Sequence, residues 1–297
     1  MHAPKALVVA LLADACLGEP PPALHPVVWM GRVLDALEPR APRGPFARML
    51  YGSVLAIGLP TAWGALGLVI ERIAPWPLQA LLLEPSFAGR SLLQAGRRVE
   101  DALVADDVQQ ARADLRWLVS RPTDTLDSGL VAAAAIESLA ENLVDSWVAP
   151  LLAYTCLGLG GAYAYRAANT ADAMWGYHSP AYEHLGKAAA RLDDALNLLP
   201  ARVGALLLVA LGSCWRDSAS VWRRDASRTP SPNAGQSMSA MAGQLGVRLE
   251  KPATYVLNAD ERAPTASDLQ RARRLVTMAM LVSAVACVVV RGVREHV

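Results

Sequence analysis

The chain has 297 residues, of which 53% are hydrophobic and only 19% are charged, and its formal net charge at pH 7 is +1. Soluble domains carry roughly 25% charged residues, so this composition argues against an ordinary soluble domain. It favours an integral membrane protein or a very apolar helical one. The small net charge provides no general attraction to nucleic acid, and we expect no nucleic-acid partner.

Five apolar runs determine the predicted fold, and they occupy residues 6–17, 51–70, 129–165, 203–215 and 275–290. A complete membrane span needs about 20 apolar residues, a length that only the second and third runs reach. We therefore predict an all-α, multi-pass integral membrane protein with about four or five membrane helices, some of them short or tilted. We treat residues 1–297 as a single domain embedded in the lipid bilayer.

Polar segments at 72–128 and 216–274 separate these runs. Within the first segment, residues 88–121 carry apolar side chains with helical periodicity, and the pattern breaks near Asp106 and Asp107. This pattern predicts two amphipathic helices outside the bilayer. The second segment is rich in Arg, Ser and Pro, and its stretch "RTPSPNAGQ" predicts a loop.

The segment 131–157, "VAAAAIESLAENLVDSWVAPLLAYTCL", is apolar enough for a membrane, yet Glu137, Glu141 and Asp145 interrupt it at every fourth position. At 100° per residue, these three carboxylates, the acidic stripe, fall within roughly an 80° arc of one helix face. Asn142 lies beside that arc. Buried carboxylates are costly unless they are paired, protonated or bound. The acidic stripe therefore requires an arginine or lysine on another helix, a metal ion or a cationic substrate.

A second polar pattern occurs in "YRAANTADAMWGY", residues 165–177. Arg166, Asn169 and Asp172 are spaced three apart, so a helix would place them on a common face. The alternative is that a helix ends here, with Asn169 or Thr170 acting as a cap.

A third pattern lies in "GKAAARLDDALNLLPARV", residues 186–203. Asp193 and Asn197 are one helical turn apart, and Asp194 adjoins them. Adjacent acids followed by an amide suit Mg²⁺, which takes oxygen ligands and often bridges phosphates. The alternative is a solvated helix face on which basic residues of the same helix pair with the acids.

Two loop motifs add weaker candidates. Asn233 in "SPNAGQSMSAMAGQLGVRLEKP" lies in a predicted turn before a helix, whose backbone N–H groups could hold an anion. His25 is the single histidine of the Pro-rich "GEPPPALHPVVWMGR", and lone histidines are more often structural than catalytic. The sequence contains no GxxxxGK[ST], GxGxxG or GxSxG motif. Together, the residues indicate a helical membrane protein whose Asp, Glu, Asn and Arg clusters face one polar site and act on an anionic substrate with Mg²⁺.

Five segments, in order along the chain, resemble the adenosylcobinamide-phosphate synthase family (CobD/CbiB) of cobalamin biosynthesis. They are "LGEPPPALHPVVWMGR", "AAIESLAENLVDSWVAPLLAY", "YRAANTADAMWGY", "ARLDDALNLLPARV" and "SPNAGQSMSAMAGQLGVRLEKPATY". Two loops depart from the family pattern. "SRPT" at 120–123 replaces the usual Gly-Arg-Asp-Thr, and Gln236 and Ser237 stand where a Trp-Pro pair usually follows "NAG".

The resemblance implies a multi-pass protein of the inner cell membrane with its active site facing the cytoplasm. It implies an acid–amine ligase that joins aminopropanol, or its O-phosphate, to a propionate carboxylate of adenosylcobyric acid. ATP is the implied co-substrate and Mg²⁺ the implied metal ion. The corrinoid and the amine are the small-molecule partners, and other membrane enzymes of the corrinoid pathway are candidate protein partners.

Residue roles follow from the same resemblance. Asp193, Asp194 and Asn197 would hold Mg²⁺ on the nucleotide. The acidic stripe would bind the ammonium group of the amine or take its proton. Arginines would bind phosphate or corrinoid carboxylates. The substrate-binding candidates as a set are Arg166, Arg191, Arg202, Asn142, Asn169, Asp172, Asn233 and His25.

Two other functional classes stay open. A membrane prenyl- or alcohol-phosphotransferase also surrounds Mg²⁺ with Asp-rich helices, although the acidic stripe and "DDALN" match its usual DxxxD-type spacing poorly. A membrane transporter would use buried acids in a proton or cation pathway.

Overall fold

The structure is a computed structural model that describes residues 3–176 and 182–294. These residues form twelve α-helices: α1 (Ala3–Cys16), α2 (Pro26–Leu37), α3 (Pro45–Ile73), α4 (Trp76–Leu83), α5 (Gly89–Val104), α6 (Val108–Leu115), α7 (Ser128–Leu143), α8 (Ala149–Trp175), α9 (Lys187–Leu211), α10 (Trp215–Asp225), α11 (Ala234–Leu245) and α12 (Ala266–Arg294). A π-helical turn, Val144–Val148, joins α7 to α8. Two short strands, β1 (Leu249–Lys251) and β2 (Tyr255–Leu257), pair as an antiparallel hairpin.

The predicted all-α, multi-pass class is confirmed by four long helical stretches in the described part of the chain. They are long and apolar enough to cross a membrane, and they comprise Pro45–Ile73, Ser128–Trp175, Lys187–Leu211 and Ala266–Arg294. The apolar run at 6–17 forms α1, which has 14 residues and is about 21 Å long at 1.5 Å per residue. A bilayer core is about 30 Å thick, so α1 is too short to span it.

The two amphipathic helices predicted in the first polar segment are α5 and α6. α5 buries one side, which includes Leu92 and Val99, and it packs on α7. Asp106 adopts a left-handed φ of 57°, and the Asp107 side chain caps α6 by accepting a hydrogen bond from the Gln110 amide at 2.9 Å. The helix breaks at the predicted place because short acids tolerate this backbone conformation and favour helix caps.

The hairpin has no counterpart in the sequence prediction. Each strand has three residues, which is too short for an alternating apolar pattern to be recognised. Leu249 lies opposite Leu257 and Lys251 opposite Tyr255, so these four side chains share one face of the ribbon. The two leucines are buried and β1 packs on α7.

The chain divides into two compact units, each assembled from segments that are distant in sequence. The first unit comprises Met1–Ala88, Ala149–Asn197 and Ala284–Val297, and the second comprises Gly89–Val148 and Leu198–Ser283. α3 packs on α8 in the first unit, and α7 packs on α5 and α11 in the second. The single bilayer-embedded domain over 1–297 stays a prediction.

Glycines allow α3 and α8 to approach closely within the first unit. A Cβ atom added at Gly67 would lie 2.8 Å from the Cα atom of Gly160, and one added at Gly160 would lie 2.8 Å from the carbonyl oxygen of Gly64. Larger residues would separate the two backbones, so small residues are what this helix contact requires.

α8 is interrupted at Gly158, where φ is 67° and ψ is −156°. Glycine alone adopts this region readily because it has no Cβ atom. The break frees the Leu159 N–H, which donates to Oε2 of Glu71 on α3 at 3.1 Å. Arg291 donates to Oε1 of the same carboxylate at 3.3 Å. Glu71, an acid in an apolar helix, is thereby compensated on both oxygens.

We expect Gly158→Ala to lower the melting temperature of the detergent-solubilised protein markedly. The new Cβ atom would collide with the Glu71 carboxylate, and the backbone strain alone is worth roughly 1–3 kcal/mol. Gly58→Ala on α3 is the matched control, because a Cβ atom there meets nothing within 4 Å and alanine favours a helix. Equal melting temperatures for the two variants would contradict the role given to Gly158.

Candidate functional site

A polar pocket of about 160 Å³ lies on α7 in the second unit, and it contains two acids of the acidic stripe. The ionisable side chains that line it are Glu137, Glu141, Arg121, Lys251 and Tyr255. The other lining residues are apolar or small, namely Leu118, Val119, Ser120, Ala134 and Ser138. Two carboxylates and two cations therefore meet in one cavity, which we call the α7 pocket.

Glu137 meets its counter-charge in this pocket. Nη2 of Arg121, in the loop between α6 and α7, donates to Oε2 of Glu137 at 3.2 Å, and the two side chains are 22% and 6% exposed. The contact uses one nitrogen of the guanidinium. Nε and Nη1 of Arg121 and Oε1 of Glu137 are buried without a hydrogen-bond partner in the part of the chain that the structure describes. The acidic stripe was expected to meet an arginine or lysine on another helix. Glu137 does meet an arginine, but that arginine lies in a loop.

Lys251 and Tyr255 reach the α7 pocket from the hairpin, because their opposed positions place both side chains on the face that is turned to α7. Burial raises the pKa of the Tyr255 phenol, and the Glu137 and Glu141 carboxylates raise it further. Tyr255 is therefore a neutral hydrogen-bond donor at neutral pH. Lys251, Tyr255 and Arg121 were not predicted as site residues, although all three lie in segments that match or replace family motifs, "SRPT" and "SPNAGQSMSAMAGQLGVRLEKPATY".

Asp145, the third acid of the stripe, does not line the α7 pocket among the described residues. It lies half-buried in the π-helical turn Val144–Val148, where the wider turn departs from the regular four-residue spacing. Asn142 is engaged on its own helix: it donates to the Ser138 carbonyl at 3.0 Å and accepts from the Ser146 hydroxyl at 3.3 Å.

A second cluster, in the first unit, centres on Asp193 of α9. Asn169 donates to one carboxylate oxygen at 3.2 Å and Asn197 to the other at 3.0 Å. Asp193 is 9% exposed and Asn197 1%, so the alternative of a solvated helix face is wrong for these two residues. α9 presents both to α8 because they are one turn apart.

The two amides are themselves held in place. Nη1 of Arg166 donates to Oδ1 of Asn169 at 3.2 Å, as expected for residues on one helix face, and the Tyr165 hydroxyl donates to Oδ1 of Asn197 at 3.0 Å. Helix α8 continues to Trp175, so the alternative of a cap at Asn169 or Thr170 is wrong. Tyr165 is a member of the network that sequence analysis missed.

The Asp193 carboxylate fits the role of a magnesium ligand. It offers about four lone-pair positions, and the amides occupy two of them. No group of three or more His, Cys, Asp and Glu side chains within 3–176 and 182–294 is placed to hold a metal ion. Mg²⁺ commonly takes only one or two carboxylates and completes its shell with phosphate oxygens and water. Asn197 presents its N–H to Asp193, so here it orients the carboxylate.

The remaining candidates are distributed over both units. In the second unit, Nη1 of Arg202 donates to Oδ1 of Asn233 at 2.9 Å, so two predicted anion-binding residues are in contact. In the first unit, the buried His25 lies 3.1 Å from Oε2 of Glu19 through Nε2. Asp172 and Asp194 are half-buried and Arg191 is exposed. The interpretation that all the clusters line one cavity stays a prediction.

A sequence model of the CobD/Cbib protein family matches residues 7–284. The chain belongs to the CobD/CbiB family. It is 42% identical over 280 residues to the "Probable cobalamin biosynthesis protein CobD" of Thermococcus kodakarensis, which covers 93% of this chain and 91% of that protein. It is 42% identical over 305 residues to the "Cobalamin biosynthesis protein CobD" of Chromobacterium violaceum, with 94% of each protein covered. No solved structure matches the chain significantly.

In this CobD/CbiB family member we expect strong coupling between Arg121 and Glu137. Arg121→Gln or Glu137→Gln alone removes the direct partner of a largely buried charge, and with Lys251 and Glu141 still in the pocket it should lower the free energy of unfolding by about 1–3 kcal/mol. The double variant R121Q/E137Q removes both charges and should lose less than the two single variants combined. Unfolding of the four proteins in detergent measures this coupling, and additivity within about 0.5 kcal/mol would contradict it.

Proposed function

We propose that this chain joins aminopropanol, or its O-phosphate, to a propionate carboxylate of adenosylcobyric acid by ATP-dependent amide formation in cobalamin biosynthesis. Membership of the CobD/CbiB family and the printed names of the relatives support the pathway. The observation that best supports a reaction on phosphates is the buried Asp193 carboxylate, which two oriented amides hold inside an apolar helix.

The reaction requires activation because a carboxylate oxygen is a poor leaving group. In the proposed sequence, the corrinoid carboxylate attacks the γ-phosphate of ATP, which forms an acyl phosphate and releases ADP. The neutral amine then attacks the acyl carbon and phosphate leaves as the amide forms. The surplus proton of the amine passes to a carboxylate acting as general base.

Asp193 and Asp194 are the residues proposed to hold Mg²⁺, which when bound would neutralise charge on the phosphates of ATP. Asn169 and Asn197 would keep the Asp193 carboxylate in one orientation, since supporting hydrogen bonds fix a ligand before the ion arrives. Arg166, whose guanidinium adjoins Asn169, is proposed to bind phosphate or a corrinoid carboxylate.

The acidic stripe is the proposed amine site. Glu137, which is paired with Arg121, and Glu141, which is half-buried in the same pocket, are both proposed for the ammonium group or its proton. Arg191, which is exposed, and Arg202, which contacts Asn233, are proposed to bind anionic groups of the substrates. We place the protein in the inner membrane with this chemistry on the cytoplasmic side, where ATP is supplied, together with other membrane enzymes of the pathway.

The reaction is tested by incubating purified full-length protein with adenosylcobyric acid, ATP, Mg²⁺ and either amine. We expect the mass of the amide and one phosphate per amide, and only when corrinoid and amine are both present. Asp193→Asn and Asp194→Asn should raise the Mg²⁺ concentration for half-maximal rate by roughly 10–100-fold. Asp101→Asn is the control, because Asp101 is exposed and pairs with Arg97 on α5.

Three outcomes decide between the functional classes. Corrinoid-dependent phosphate release with the amide product supports the ligase. Pyrophosphate release from a prenyl donor would replace the proposal with the phosphotransferase, and no turnover with either set of substrates would favour transport. Normal Mg²⁺ dependence in D193N and D194N would overturn the metal assignment even if the amide forms.

Tyr165→Phe tests the orienting network separately. Without the hydroxyl, Oδ1 of Asn197 loses its donor and the amide is free to turn, so Mg²⁺ affinity should fall by about 10-fold. Tyr163→Phe is the matched control, because the Tyr163 hydroxyl on the same helix donates to the Leu82 carbonyl at 2.9 Å, away from Asn197. Binding of Mn²⁺, followed by electron paramagnetic resonance, measures both variants without turnover. Equal affinities in the two variants would show that Tyr165 does not position the site.

A further inference from the structure

The α7 pocket contains buried polar atoms that no described residue satisfies. Arg121 contacts Glu137 through Nη2 alone, which leaves Nε and Nη1 buried and without a partner among the described residues. Buried charged donors without acceptors carry a full desolvation penalty, and they are rare unless a bound molecule or ion supplies the acceptor. We propose that the α7 pocket binds a small oxyanion, a carboxylate or a phosphate monoester, at Arg121.

Lys251 supplies the second positive charge of this oxyanion subsite. It lines the same cavity, and its charge and that of Arg121 both act on Glu137. Guanidinium groups bind carboxylates and phosphates through several N–H groups at once, and an ammonium group adds a compact point charge. The neutral phenol of Tyr255 borders this subsite, and its hydroxyl lies 3.7 Å from Sδ of Met238.

The two acids determine what else the ligand carries. Oε1 of Glu137 is buried without a hydrogen-bond partner in the described chain, and its side chain is only 6% exposed. Glu141 lines the pocket beside it. A ligand that satisfies this oxygen needs a donor, and an ammonium group makes the strongest contact with a carboxylate.

The size of the cavity supports a molecule over a single water. Its volume is about 160 Å³, whereas a site for one water needs only about 10–15 Å³ in the same measure. The ligand class is therefore a small amino-oxyanion, with its oxyanion at Arg121 and Lys251 and its ammonium group at Glu137 and Glu141.

The oxyanion subsite depends only on the α7 pocket. Only one part of the proposal rests on the proposed function, namely that the ammonium group belongs to the amine substrate. A binding measurement without ATP or corrinoid therefore tests the subsite independently of the synthesis assay.

Isothermal titration calorimetry of the purified full chain tests the subsite with inorganic phosphate, phosphoethanolamine, β-alanine and ethanolamine. We expect at least one amino-oxyanion to bind about tenfold or more tightly than ethanolamine, since charge-assisted hydrogen bonds to the oxyanion are added. The better of phosphoethanolamine and β-alanine identifies phosphate or carboxylate as the preferred group. No binding by any anion, or equal affinity for ethanolamine and both amino-oxyanions, would overturn the proposal.

Variants assign the binding to the named residues. R121Q/E137Q keeps the net charge of the pocket and avoids an uncompensated acid, and we expect it to weaken amino-oxyanion binding about tenfold or more, as should K251Q. R116Q is the control, because Arg116 lies in the same loop but is exposed and pairs with Asp124. Unchanged affinity in R121Q/E137Q at a wild-type melting temperature would overturn the proposal. Intact binding in a protein that makes no amide would support the subsite and reject the proposed function.

Discussion

A carboxylate buried in an apolar helix must meet a compensating group, because the charge is otherwise too costly to remove from water. This constraint acts on the long helices of the described chain and limits how each can rotate. Three acids on these helices meet arginines. Glu71 pairs with Arg291 and Glu137 with Arg121, whereas Asp268, in the first turn of α12, pairs with Arg262 in the loop just before that helix. A helix turned by a quarter would separate Glu71 from Arg291 or Glu137 from Arg121, so these two ion pairs restrict the rotation of α3 and α7.

Asp193 differs from these three acids in its hydrogen-bond partners, which are amides. Its oxygens accept from the amides of Asn169 and Asn197, which orient the carboxylate without cancelling its charge. In the proposed reaction, this carboxylate would hold the Mg²⁺ of a nucleotide. Asp193 is therefore an acid proposed to bind, and Glu137, although it is paired with Arg121, keeps one oxygen for the ligand proposed for the α7 pocket.

The sequence predicted those features that depend on local spacing. The four spans, the break at Asp106 and the contact of Arg166 with Asn169 all follow from apolar length or helical periodicity. Contacts across long sequence separations were out of reach, because no pattern in the chain links Glu137 to Arg121 in a loop or to the three-residue strand that carries Lys251. Asp145 was predicted to share a helix face with Glu137 and Glu141, because periodicity assumes a regular helix. No local sequence pattern predicts the π-helical turn in which it lies.

The break at Gly158 also determines the direction of the part of α8 that follows it. The 11 residues from Leu159 to Asn169 form a helical segment about 16 Å long. A tilt of about 10° at the break would therefore displace the far end of that segment by about 3 Å. Hydrogen bonds between heavy atoms tolerate only a few tenths of an ångström around 2.9 Å. The hydrogen bond from the Leu159 amide to Glu71 and the close packing of α3 on α8 together hold this angle, which the contact of Asn169 with Asp193 requires.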